Sequence, residues 1–181
     1  PSSGDIEGFL DDPDPKVQAR TVAALRFYGS RECAPRLARF LGDSDIDFRS
    51  NAIFGLARLG AKEYAPEIAR LLEDPHWVIR NAALLAMGDL GAREYAPEVA
   101  KLLGDPNGDV RNTAVQVVGQ LGVRGYEPDI ARFLDDPKGN VRYVAVKALG
   151  DLGAREFSAE ITKCLVDPDL DVRNAAAEAL Q

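Results

Sequence analysis

The sequence predicts an all-α solenoid, a right-handed superhelix of six helix pairs, and three observations carry that prediction. Residues recur every 31 positions without an insertion: aspartates at Asp12, Asp43, Asp74, Asp105, Asp136 and Asp167, glycines at Gly29, Gly60, Gly91, Gly122 and Gly153. A fixed period of this size marks units that cannot bury their apolar faces alone and must stack on neighbours. Inside each unit the apolar residues keep helical spacing and never alternate as in a strand. Each helix also carries its own start and stop residues. The repeats fall at about 1–29, 30–60, 61–91, 92–122, 123–153 and 154–181, so residues 1–181 are expected to form a single repeat domain.

The first unit begins with a short helix around Gly4-Asp5-Ile6-Glu7, and the last stops at Gln181, where a terminating glycine would stand. The unit 92–122 shows the pattern in full. A first helix from about Pro97 to Gly104 places Val99, Leu102 and Leu103 on one face, with the proline in the opening turn, where a missing N–H removes no helical bond. Pro106 and Gly108 interrupt the chain, and a second helix follows from about Asp109 to Leu121, with acidic residues at its start that suit capping and the helix dipole. Gly122 ends it, and the same glycine at Gly29, Gly60, Gly91 and Gly153 suits the left-handed residue that closes a helix. Val110, Ala114, Val117, Val118 and Leu121 make the second helix apolar on a face wide enough for burial on two sides. Gly88, Gly119 and Gly150 let neighbouring helices approach closely.

These residues resemble the HEAT repeat, and more closely the short HEAT-like variety named after phycobilisome lyases. The pattern is a proline, an aspartate eight residues later and a valine-arginine pair after that: Pro66, Asp74, Ile79, Arg80; Pro97, Asp105, Val110, Arg111; Pro128, Asp136, Val141, Arg142. It covers essentially all 181 residues, departing at Gln18, at Ala159 in place of the last proline, and at Ser44 after Asp43. The resemblance implies a ladder of charges from repeat to repeat, formed by Asp43, Asp74, Asp105, Asp136 and Asp167 with Arg49, Arg80, Arg111, Arg142 and Arg173. An arginine fork can bond a carboxylate and turn carbonyls together, so structural duty is the expected role.

With 46% apolar and 28% charged residues the composition is that of an ordinary globular chain. No apolar run approaches the roughly 18 residues of a membrane span, no signal peptide is visible, and a cytoplasmic location is expected. Cys33 and Cys164 lie four repeats apart, too far to pair within one chain, and read as core residues. A net charge of −7 is the wrong sign for wrapping a phosphate backbone, so no nucleic acid is expected; this also counts against the DNA-glycosylase branch of HEAT-like proteins. Turns between the helices of a pair are acidic and turns into the next repeat carry Arg31, Lys62, Arg93, Arg124 and Arg155, giving one acidic and one mixed-to-basic edge.

Asp43-Ser44-Asp45-Ile46-Asp47 and Asp167-Pro168-Asp169-Leu170-Asp171 imitate the opening of a calcium loop, but Phe48 and Val172 stand where its glycine belongs and no glutamate closes it. Helix capping is the better reading. The lone histidine, His76, cannot build a multi-histidine site, which counts against the HEAT-repeat hydroxylase that carries iron on repeated His-Glu pairs. No triad and no phosphate loop is present, so no catalytic residue, metal or cofactor is expected.

One stripe of the second helix stays free of the packing pattern. Positions equivalent to Asn112, Thr113, Gln116 and Gln120 fall within about 100° of the helical wheel and vary between copies. In HEAT-like solenoids the second helices line the concave surface. Arg20, Phe27, Phe54, Arg58, Leu85, Asp89, Gln116, Gln120, Tyr143 and Lys147 are therefore the expected partner-binding residues, with the aromatics as anchors for a protein or peptide. Packing of Phe27 and Phe54 beneath the N-terminal layers is the competing reading. The functional expectation is a non-enzymatic interaction scaffold. The alternatives are an accessory subunit of a bilin lyase, which the resemblance implies and a tetrapyrrole would reveal, and an engineered repeat scaffold. Ile6, Phe9 and Leu10 at one end and Ala175 to Leu180 at the other lack a polar cap, which leaves end-to-end self-association open.

Overall fold

The computed structural model describes residues 6–181, so the start of the first expected helix at Gly4-Asp5 lies outside the described residues. Eleven α-helices alternate between long and short, with no strand among the described residues. The long second helices are α1 (Pro15–Tyr28), α3 (Ile46–Arg58), α5 (Trp77–Leu90), α7 (Gly108–Leu121), α9 (Gly139–Asp151) and α11 (Leu170–Ala179). The short first helices are α2 (Ala34–Ala38), α4 (Ala65–Arg70), α6 (Ala96–Lys101), α8 (Glu127–Ala131) and α10 (Ser158–Lys163).

The short helices are more broken than the spacing predicts. Where one helix from about Pro97 to Gly104 is expected, α6 ends at Lys101 and a 3₁₀ turn, Leu102–Gly104, completes the segment. The tighter i→i+3 bonding turns the chain toward Asp105, whose N–H donates to the Leu102 carbonyl at 3.1 Å. Pro35, Pro66, Pro97 and Pro128 occupy the first turns, where no helical hydrogen bond is lost.

The glycine stops hold in four repeats and fail in one. Gly60, Gly91, Gly122 and Gly153 have φ of 63°, 60°, 62° and 61°, the left-handed region that glycine enters without steric cost. Gly29 does not: its φ of −68° and ψ of 150° are extended backbone. Space still demands glycine there, because an added Cβ would lie 2.5 Å from the Leu25 carbonyl oxygen.

The chain divides into two compact units, Pro1–Ala92 and Arg93–Gln181, one residue past the boundary between the third and fourth repeats. In the first unit α3 packs against both α1 and α5, and in the second α9 packs against both α7 and α11. Each short helix lies against the long helix of its own repeat. Leu25, Leu37, Ile53, Leu56, Ile68, Leu84 and Met87 fill the first core, and Val99, Val110, Val117, Val118, Ile130, Val146 and Leu149 the second, all fully buried. These are the apolar columns of the repeat, and their removal from water is the main force holding layers together.

Glycine also sets helix spacing. A Cβ on Gly119 would lie 2.7 Å from the Ala148 Cβ and 2.9 Å from its Cα, and one on Gly150 would lie 2.8 Å from the Ala179 Cβ. Real Cβ atoms do not approach so closely, so α7 against α9 and α9 against α11 need that glycine. Cys33 and Cys164 are buried, free thiols, and burial pushes both above the usual thiol range. Of the apolar residues expected to be uncapped near the N-terminus, Leu10 is buried and Phe9 is the exposed one.

Candidate functional site

The recurring charges serve the scaffold. In every repeat the aspartate Oδ1 accepts the N–H two residues on, at 2.8 Å from Asp14, Asp45, His76, Asn107, Lys138 and Asp169 in turn. The second aspartates of the calcium-like runs are capped likewise, Asp45 accepting from Asp47 at 2.7 Å and Asp169 from Asp171 at 2.9 Å. In the repeat 92–122 the cap is Asn107, which accepts from Asp109 and Val110. These side chains satisfy amides that a helix start leaves without partners.

Each ladder arginine turns back on the carbonyls of its own turn. Arg49, Arg80, Arg111, Arg142 and Arg173 donate Nη1 to the oxygens of Asp43, Asp74, Asp105, Asp136 and Asp167 at 2.6–2.8 Å. Links to the next layer vary. Arg142 grips Asp167 through Nε and Nη2, both at 2.7 Å, and this fork holds the Asp167 carboxyl below the usual carboxylate range. Arg49 meets Asp74 at a looser 3.5 Å. Between Arg111 and Asp136 there is no ion pair within 4.0 Å.

The basic edge has a structural cause too. Arg93 donates to the Gly122 carbonyl at 2.8 Å and Arg124 to the Leu152 carbonyl at 3.2 Å, placing a cation on the C-terminal carbonyls of the long helix of its own repeat.

What remains is the free stripe of the long helices. Arg20, Phe27, Arg58 and Asp89 in the first unit are exposed, Phe27 to 60%, while Phe54 and Leu85 are half-buried. In the second unit Gln116, Gln120, Tyr143 and Lys147 are exposed. The stripe is narrower than the helical wheel predicts, because Ala82 and Ala175, placed there by spacing, are buried. The rest of their column is not buried: Arg20 is exposed and Asn51 half-buried in the first unit, and Thr113 and Val144 are half-buried in the second.

Two local arrangements stand out. On α1 and α3 the Arg26 guanidinium lies over the Phe54 ring at 4.4 Å and over the Phe27 ring at 5.3 Å. Sequence reasoning missed Arg26, although its column held the signal: the equivalent residues are Ala57, Gly88, Gly119 and Gly150. In the first layer the small residue sits instead on the facing helix, where an added Cβ on Gly55 would lie 3.8 Å from the Arg26 Cα. In the second unit Gln116, Gln120, Tyr143, Val144, Lys147, Ala148 and Asp151 line a groove of about 420 Å³ between α7 and α9. Lys147 and Asp151 pair across one turn at 3.5 Å, both exposed.

Fold and site together define an all-α tandem-repeat protein whose variable surface is a stripe on its long helices. The family profile for HEAT repeats matches residues 40–112 and 96–181, and the chain belongs to the HEAT-repeat family. No curated protein sequence matches it significantly. Among solved structures, the complex of CpcE and CpcF of phycocyanin lyase from Nostoc sp. PCC7120 is similar at 23% identity and a TM-score of 0.77, covering 99% of this chain and 76% of that one. An engineered protein aligns at 14% identity, TM-score 0.76, over 98% and 94% of the two chains. A designed armadillo repeat protein in complex with the peptide (KR)4 aligns at 17% identity, TM-score 0.71, over 98% of each. At these identities the likeness is one of fold. No helix among the described residues is long and apolar enough to cross a membrane.

Proposed function

We propose that this chain is a non-enzymatic scaffold that binds a protein or peptide along the stripe of its second helices. The observation that carries this reading is Phe27, 60% exposed beside the half-buried Phe54, with Arg26 over both rings. Large aromatics left in water next to guanidinium groups are the residue types that dominate binding energy at interfaces. The recurring aspartates and the ladder arginines are engaged in turns, caps and layer links, which supports a structural role for them. Fold likeness to a peptide-bound designed solenoid supports the same use of the surface. Fold likeness to a lyase complex leaves a tetrapyrrole-handling accessory subunit as the alternative, which visible absorbance on pigment uptake would reveal.

The test is a pull-down with Phe54→Ala plus Arg58→Ala, its fold checked by circular dichroism. Two central anchors carry about 2–4 kcal/mol each at typical interfaces, so a bound polypeptide should be lost. If the double variant, and a matching Tyr143→Ala plus Lys147→Ala variant, retain every partner that the wild type retains, recognition lies elsewhere.

Self-association through the ends is a second expected property. Val166 is 85% exposed, and Leu170, Leu180 and Phe9 are exposed as well. Light scattering should show mass rising with concentration, and replacing Val166 and Leu170 by serine should suppress it; a constant monomer mass across the range would rule out end stacking.

A further inference from the structure

Resting on the binding reading above, we infer that the partner segment seated on the first unit is acidic: a peptide presenting carboxylates next to an aromatic or aliphatic residue. Three arginines belong to α1 and α3: Arg26 lies over the Phe27 and Phe54 rings, Arg58 follows Phe54 by one turn of α3, and Arg20 precedes Phe27 by two turns of α1. None of them reaches a carboxylate oxygen within 4.0 Å among the described residues. None of the three takes part in the turn, cap or layer-to-layer hydrogen bonds by which the other arginines of the repeats serve the scaffold. The layer packing does not require Arg26 either, since alanine or glycine occupies its column in the next four repeats.

The chemistry favours a carboxylate. An arginine held over aromatic rings keeps its in-plane N–H groups for an acceptor, and the fork matches a carboxylate in two parallel bonds. The chain makes that bond between Arg142 and Asp167. Phe27 and Phe54 flank the guanidinium and offer apolar contact to the neighbouring residue of the same segment. The second unit lacks the feature, since Lys147 there is paired with Asp151.

The experiment is selection of a displayed random peptide library on the whole chain, with the Phe54→Ala plus Arg58→Ala variant as counter-selection. Enriched peptides should carry Asp or Glu beside an aromatic or aliphatic residue. The most enriched one, synthesised and labelled, should bind Arg26→Met at least about tenfold more weakly, with Arg26→Lys intermediate, and lose affinity as salt rises. Basic or uncharged peptides that still depend on Phe54 and Arg58 would overturn the acidic assignment while leaving the binding face standing. If no peptide distinguishes the wild type from the double variant, both the assignment and the binding face fall.

Discussion

Gly119→Ala lowers the stability of this protein by about 1–3 kcal/mol, although alanine is the better helix former by about 1 kcal/mol. The sign is set by space. The new methyl would lie 2.7 Å from the Ala148 Cβ and 2.9 Å from the Ala148 Cα, and the second of these is backbone that cannot rotate away. α7 and α9 must separate, and the apolar columns on either side lose contact together. Ala148→Gly in the same chain restores the room, so the double variant should be more stable than the sum of the single changes by at least about 1 kcal/mol. Urea unfolding of the four proteins reads this directly. A Gly119→Ala variant as stable as the wild type would mean that the layers are not held at this spacing.

Removing the Asp167 carboxylate has the other large effect. Asp167→Ala strands a largely buried Arg142 and deletes the acceptor for the Asp169 N–H, and breaking a buried pair this way costs about 3–5 kcal/mol. The pair is slightly open to water, so the lower end is expected. Acid exposes the same contact. The folded carboxyl titrates below its ordinary value because Arg142 bonds its charged form. Its stabilisation is therefore complete above the unfolded value of about 3.9, and is lost as pH falls through the depressed folded value. Asp167→Asn has no proton to take up there. Its stability should fall less steeply than the wild type's below about pH 4, and equal slopes would show that this carboxyl is not held by Arg142.

The repeat was legible because its punctuation is written in residues with narrow conformational menus. Proline in the short helices, aspartate before the long ones and glycine after them place eleven helices within a few residues of their observed ends. Gly29 shows the limit of that reading. A glycine in the right column can be kept for the space beside the Leu25 carbonyl instead of for left-handed torsion, and sequence does not separate the two causes. The 3₁₀ turns after α2, α4, α6, α8 and α10 were hidden for a similar reason, since a tightened last turn uses the same residues as an α-helical one.

The exposure of the stripe was legible in outline, and its margins were not. Spacing alone assigns Ala82 and Ala175 to the solvent stripe, yet small residues at a stripe's margin are drawn into the layer contact. Arg26 was concealed by the opposite effect. Its column is small in the next four repeats, and only the exchange of the small residue onto Gly55 of the facing helix frees the first layer to carry a large cation outward.

The central claim is that recognition occurs on the stripe of the long helices. It is tested most directly by mapping chemical-shift changes when a library-selected peptide is added to the labelled whole chain. The expected result is movement of the Arg26 and Arg58 side-chain Nε–H signals and of the Phe27 and Phe54 ring signals, with Glu67 and Arg70 on α4 unmoved. Shifts confined to the short helices, with those four residues still, would contradict it.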